Sequence, residues 1–212
     1  MILGDAMTIA IVGTGRIGAG LGRAWAAAGH RVTFATRNPD DPKVSVLARS
    51  IGAEASSIAA ALSGADVVVL AVPFGAVPSV AKALPSWEGR VVIDCTNPIG
   101  PGLTLQHGLT DSGAEVNARL LTGARVVKSF NAQGAENLAQ ATYGGVAATN
   151  FYCGDDAAAK TVVRQLIADV GFEPIDLGGL SAARYLEPMT FVWLAAAKAL
   201  GSRAIAFKIL RA

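Results

Sequence analysis

The sequence has little of the material from which most metal and nucleophilic centres are made. Its 212 residues include two histidines, His30 and His107, and two cysteines, Cys95 and Cys153. That supply gives no metal-ligand cluster. Each cysteine ends a strand-like run, so both read as buried thiols rather than disulfide partners, which fits a reducing, cytoplasmic setting. His30 follows Gly29 where a helix should stop, and a C-cap role accounts for it. Charge is also scarce: 16% of residues are charged, the net charge is +2, and the basic residues are dispersed. A nucleic-acid surface needs a basic patch, so none is expected. No stretch of about 20 residues is free of charge and helix breakers, as a membrane span requires. The run Phe191 to Leu210 comes nearest, but Lys198, Arg203 and Lys208 interrupt it. The segment Met1 to Ala6 carries Asp5 and no basic residue, so it does not read as a secretory signal. It reads as a loose extension ahead of a strand beginning at Met7.

What the chain does have is apolar sequence (52%) and 24 glycines, arranged as alternating strand-like and helix-like segments. Strands are expected at about 7–12, 31–36, 66–71, 90–94, 125–129, 149–153 and 172–177, with a short one near 53–55. Helices are expected near 16–29, 43–52, 56–63, 75–83, 112–120, 134–142, 155–170 and 181–200. The runs Val67-Val68-Val69-Leu70 and Val91-Val92-Ile93 are continuously apolar, as strands buried on both faces must be. Asp155-Asp156 suits the N-terminus of the helix that follows, and Gly171 suits its end. Residues 97–108, rich in Pro and Gly, read as a loop over the sheet end. The alternation predicts an α/β fold: a Rossmann-type doubly wound, mostly parallel sheet over 1–180, with a small C-terminal helical part over 181–212.

The most informative stretch is Gly13-Thr14-Gly15-Arg16-Ile17-Gly18, placed between the first strand and the first helix. Glycines at this spacing allow a tight turn, close approach of a pyrophosphate, and close helix–strand packing. The phosphates would meet free N–H groups and the positive end of the helix dipole. The second strand ends in Thr36-Arg37-Asn38, where a ribose would lie. A site for the unphosphorylated dinucleotide usually carries Asp or Glu there. This chain has no acid at 35–38, and its Arg37 can donate a bidentate pair to a 2′-phosphate; the other reading is a solvated arginine. Lys43 is either a second cation for that phosphate or an ordinary exposed lysine.

In an open α/β sheet, ligands bind outside the carboxyl ends of the strands where the strand order reverses. Ala71-Val72-Pro73-Phe74 ends one such strand. Pro73 either turns Val72 and Phe74 toward a nicotinamide ring or merely ends the strand. Asn97-Pro98 either offers an amide to the carboxamide or forms a turn. Asn131 either hydrogen-bonds substrate or caps a loop, and Lys128, whose side chain alternates with its neighbours, points either toward the pocket or away from it. There is no Ser/His/Asp set, no Tyr-x-x-x-Lys pair and no His/Asp dyad near these segments. Reduction of a ketone or hydroxy acid normally uses a positioned acid or base. Hydride passing between two rings relies more on orientation and desolvation. The absence points to transfer between bound rings, and no residue is assigned as catalytic.

These segments together resemble a known family, the NADP oxidoreductases that use the deazaflavin coenzyme F420. The resemblance rests on Ile11 to Gly18, Thr36-Arg37, Ala71 to Phe74, Tyr152-Cys153-Gly154-Asp155-Asp156, and Asp176 to Pro188. It implies NADP as cofactor, a deazaflavin or flavin as second substrate, and a homodimer. The residues expected to hold NADP are Gly13, Thr14, Gly15, Arg16, Ile17, Gly18, Thr36, Arg37, Asn38, Lys43, Ala71, Val72, Pro73, Ala76, Asn97, Pro98 and Ala132. Two stretches, Asp94 to Gly102 and Val127 to Asn131, depart from the archaeal pattern. They look like a bacterial branch whose members often do not use that coenzyme. The asparagines at the sheet end also resemble the cytosolic domain of membrane ferric reductases that pass hydride to a flavin. Two rivals remain. One is an imine or small-carbonyl reductase, as in pyrroline-carboxylate reductases, whose helical C-terminal part is normally longer than the one here. The other is a non-catalytic NADP-binding protein.

Overall fold

Strands covered on both faces must be apolar throughout, and the observed sheet is built from such runs. The computed structural model describes residues 5–211; the expectation for residues 1–4 lies outside them. The strands are β1 (Thr8–Val12), β2 (Arg31–Thr36), β3 (Glu54–Ser57), β4 (Val67–Leu70), β5 (Val91–Asp94), β6 (Arg125–Ser129), β7 (Thr149–Gly154) and β8 (Glu173–Asp176). Their order across the sheet is β8-β7-β6-β5-β4-β1-β2-β3. β4 and β5 are buried along their whole length. The helices are α1 (Arg16–Ala27), α2 (Pro42–Ser50), α3 (Ile58–Ser63), α4 (Val77–Ala81), α5 (Gly113–Leu120), α6 (Ala157–Val170), α7 (Ala183–Leu186) and α8 (Met189–Ala199). Among the described residues, no helix is long and apolar enough to cross a membrane.

The sheet separates two apolar layers. One joins Ile9, Ile11, Trp25, Phe34, Phe130 and Leu166, with the Trp25 indole donating to the Leu166 carbonyl at 2.9 Å. The other joins Val68, Leu70, Leu62, Leu121 and Leu186. Helix starts use the expected chemistry. Asp156 accepts from the Ala159 amide (2.7 Å), Asp41 from Lys43 (2.8 Å), and Ser112 from Glu115 (3.1 Å). Gly171 ends α6 at φ +101, a conformation that favours glycine.

The structure departs from the sequence reading in four places. β7 runs antiparallel to β6, whereas the other neighbouring strands are parallel. A parallel return needs a crossover, usually a helix, and the helix expected at 134–142 is only a single turn, Ala135–Leu138. A small hairpin follows it, pairing Thr142–Tyr143 with Val146–Ala147, because Gly144 and Gly145 both take positive φ. Residues 97–108 contain a second small hairpin, Ile99–Gly100 against Thr104–Leu105. The helix expected over 181–200 is broken after Leu186, where Pro188 supplies no amide donor. His30 does more than close α1. It accepts from the Met7 amide at 3.2 Å and pairs with Asp169 at 3.0 Å, joining β1 to the end of α6.

Candidate functional site

The glycines after β1 divide their tasks visibly. Gly13 sits at φ +111, and a Cβ there would lie 2.4 Å from the Ala71 carbonyl oxygen. Only glycine lets β1 and the chain leaving β4 come this close. A Cβ on Gly18 would lie 2.1 Å from the Gly13 oxygen, so Gly18 serves the packing of α1 on β1. A Cβ on Gly15 would meet nothing within 4 Å. Gly15 is also the N-cap of α1, with no side-chain cap and no acid in the first turn. The leading amides of α1 therefore face open space with their dipole uncompensated. Arg16 begins the helix, and its guanidinium is paired with Glu136. Ile17 is half-buried.

At the tip of β2, the Thr36 hydroxyl accepts from the Asn38 amide at 3.3 Å. Arg37, Asn38 and Lys43 are exposed. Neither Arg37 nor Lys43 enters an ion pair among the described residues. Asp41, the acid nearest to Lys43, is committed to capping α2. The tip of β2 and the start of α2 thus present two cations that form no ion pair among the described residues, with the exposed Asp40 between them in sequence.

The other wall is made by the segments after β4, β5 and β6. Ala71 and Val72 are half-buried and Pro73 is exposed. Pro73 starts a single helical turn, Phe74–Ala76, that leads into α4. Asn97 and Asn131 clasp one another. The Asn97 amide donates to the Asn131 backbone oxygen and the Asn131 amide to Asn97 Oδ1, each at 3.0 Å. Asn131 also donates to the Leu186 carbonyl, and Thr190 donates to the Asn131 carbonyl, again at 3.0 Å. Asn131 Oδ1 is buried and has no hydrogen-bond partner among the described residues. Pro98 and Ala132 are buried and form the floor. Phe130, just before Asn131, takes φ +57, a strained conformation of the kind found where a site fixes its geometry.

Beneath this wall lies a set of charges that sequence reasoning missed. Of the two orientations open to Lys128, the structure takes the inward one: its side chain is fully buried and paired with Glu187 at 2.9 Å and Asp94 at 3.5 Å. It also donates to the Thr96 carbonyl, directly before Asn97. Glu187 accepts from the amides of Gly113 (2.8 Å) and Ala114 (2.9 Å) at the start of α5. Asn117 bridges Asp94 and Thr96. Burial opposes the charge on Lys128, but Asp94 and Glu187 offset it and hold the ammonium protonated. Burial, then the Asp94 charge, pushes the neighbouring Cys95 thiol far up, which makes it inert as a nucleophile. Cys95 and Cys153 are both unpaired and buried. Among the described residues, no group of three or more His, Cys, Asp or Glu side chains is placed to hold a metal ion.

A second omission is His107. Its ring packs edge-to-face on Phe74, with centroids 5.6 Å apart, and its Nδ1 lies 3.9 Å from Asp111 Oδ2. A His/Asp pair does stand beside a site segment, contrary to the sequence reading. The hairpin at 99–105, whose pairing the sequence does not announce, brings it there. A cavity of about 1020 Å³ also opens at Thr14, Gly15 and Arg16 and runs along the outer face of α1 to Asp169 and Val170. It adjoins the glycine turn and lies away from the Asn97–Asn131 wall.

Comparison with known proteins agrees with the fold. Residues 8–98 match the family model described as NADP oxidoreductase, coenzyme F420-dependent. A crystal structure of a candidate F420-dependent NADP-reductase from Arthrobacter sp. FB24 is 32% identical with a TM-score of 0.86, covering 97% of this chain and 100% of that one. A hypothetical protein from Sinorhizobium meliloti is 33% identical with a TM-score of 0.76, covering 84% of this chain and 87% of that one. The metalloreductase STEAP3 of Rattus norvegicus is 30% identical over 183 residues, 86% of this chain but 36% of that protein. The chain therefore spans about a third of the length of that curated relative. With its sheet order, its glycine turn and a relative covered end to end, this chain belongs to the coenzyme F420-dependent NADP oxidoreductase family.

Proposed function

We propose that this chain binds NADP(H) across the carboxyl ends of β1, β2 and β4 and exchanges hydride between its nicotinamide and a ring acceptor, a deazaflavin (coenzyme F420) or a flavin. One observation carries the cofactor reading: Gly15 faces open space at an uncapped helix start while Gly13 and Gly18 are packed tight. The residues present fit the group. In this reading Thr14 to Ile17 offer backbone amides to the pyrophosphate, Thr36 and Arg37 with Lys43 hold the 2′-phosphate, and Val72, Pro73 and Ala76 border the nicotinamide. Asn97, half-buried at the sheet end, lies toward its carboxamide and is held by Asn131. NADPH, when bound, supplies the hydride.

The acceptor reading rests on family membership and on a wall rich in orienting groups. Coenzyme F420 is the acceptor named by the family. A flavin that passes electrons onward to a metal is the second reading, favoured by likeness to a metalloreductase. We further propose that residues 1–180 hold the cofactor, that residues 181–212 complete the acceptor side, and that the protein is a homodimer. The two unpaired cysteines fit a reducing cytoplasm. The test is a stopped-flow screen of NADPH oxidation against coenzyme F420, FMN, quinones and a cyclic imine. Rapid oxidation by F420 or FMN is expected. Turnover of the imine without any flavin, or oxidation by none of them, would overturn the reading.

A further inference from the structure

The geometry points to His107 as the proton donor to the acceptor ring, with Asp111 as its supporting carboxylate; this rests on the ring-acceptor reading above. Hydride addition to a flavin or deazaflavin delivers two electrons and one hydrogen nucleus, and the ring needs one proton more to become neutral. The loop after Asn97-Pro98 is folded so as to bring an imidazole back to this place. The Gln106 amide donates to the Pro98 carbonyl at 2.8 Å, which fixes the next residue, His107, beside the Asn97-Pro98 turn. The His107 ring then rests on Phe74, in the turn that follows β4. Phe74 and Pro98 themselves converge on Gly113, each 3.1 Å from where its Cβ would be. His107 thus stands against both segments assigned to the nicotinamide end.

The imidazole stands between a carboxylate and solvent. Its Nδ1 lies 3.9 Å from Asp111 Oδ2, and its side chain is one-third exposed. Arg119 holds Asp111 at 2.8 Å. That hydrogen bond keeps the Asp111 carboxyl below its ordinary range, so it remains an anion. His107 makes no other polar contact among the described residues, which leaves Nε2 for a ligand. The same loop exposes Leu103 and Leu109, both at positive φ.

The step balances as follows. The nicotinamide C4–H bond of NADPH would break as its hydride bonds to the acceptor ring, so that NADPH is oxidised to NADP⁺ and the ring is reduced by two electrons. The His107 imidazolium breaks its Nε2–H bond and gives the proton to a ring nitrogen. The imidazole, now neutral, recovers a proton from solvent.

The test compares wild type, His107→Gln and His107→Ala in three measurements. The first is NADPH affinity by fluorescence titration. The second is single-turnover oxidation of NADPH by coenzyme F420 and FMN, with and without added imidazole. The third is the NMR spectrum of the two imidazoles. Because the chain has two histidines, buried His30 serves as the internal reference. Both variants should bind NADPH within threefold of wild type. His107→Gln should lose on the order of 100-fold or more in oxidation rate, and imidazole should restore much of the rate to His107→Ala. Adding FMN with NADP⁺ should shift the His107 ring signals and leave those of His30 in place. A His107→Gln protein within threefold of the wild-type rate, a His107→Ala protein that imidazole does not rescue, or His107 signals unmoved by FMN would each overturn the assignment. A wild type that binds NADPH but reduces neither acceptor would instead overturn the acceptor reading, and His107's role with it.

Discussion

The two halves of the candidate site are built on opposite terms. On the β1–β2 side, most strong groups lack protein partners: the start of α1 at Gly15 has no side-chain cap and the Arg37 and Lys43 side chains are exposed and outside any ion pair, while Arg16 is paired with Glu136. On the β5–β6 side, nearly every strong group already has one. Lys128, Asp94 and Glu187 are fully buried and mutually paired, and Asn97 and Asn131 hold each other. The first half is kept open by glycine, as the polyanion proposed for it would need. The second is closed, as the proposed ring-to-ring transfer would need. A buried ionic network is weak evidence of added stability. Its effect here is to tie the C-terminal segment, through Glu187, to the floor beneath Asn97.

Breaking the closed half should cost most. Lys128→Met leaves two carboxylates buried without their cation, and an unfolding loss of about 3–5 kcal/mol is expected in urea titration followed by circular dichroism. A loss below about 1 kcal/mol would mean that the network is not holding the floor. Next come two substitutions that sharpen the contrast within the open half. Gly18→Ala drives a methyl into the Gly13 carbonyl and should cost about 1–3 kcal/mol. Gly15→Ala meets no atom at an ordinary φ of −71°, so stability should change by less than about 0.5 kcal/mol while NADP affinity falls. Equal effects from the two glycines, in either measurement, would contradict the division of roles.

The smallest effect concerns acid. The Arg203 hydrogen bond lowers the Glu136 carboxyl from 4.5 to about 2. A carboxyl held lower in the folded state stabilises it fully above the unfolded value and loses that contribution as pH falls through the folded one. Urea midpoints of wild type and Glu136→Gln, measured from pH 6 to pH 2, should therefore converge between about pH 4.5 and pH 2. Both partners are partly solvated, so the difference at neutral pH should be modest.

The same contrast explains what the sequence disclosed. Local signals marked the open half: apolar runs, glycine spacing, and the missing acid at 35–38 are all read within a few residues. The closed half depends on pairings far apart in the chain. Glu187 reaches Lys128 across 59 positions, and nothing in Val126-Val127-Lys128-Ser129 tells an inward lysine from an outward one. His107 was counted yet not placed, because the hairpin at 99–105 that turns it back carries no strong strand pattern. The reversal of β7 follows from a helix that did not form at 134–142, where Gly144-Gly145 supported a turn instead.

The central claim is that the open half holds a 2′-phosphorylated dinucleotide. The most direct measurement is the Kd of NADP and of NAD, taken side by side on wild type and Arg37→Ala. Wild type should prefer NADP, and Arg37→Ala should lose about 1.5–3 kcal/mol of NADP binding, roughly 10- to 150-fold, with little change for NAD. A wild type that prefers NAD, or an Arg37→Ala protein that binds NADP as before, would contradict the account.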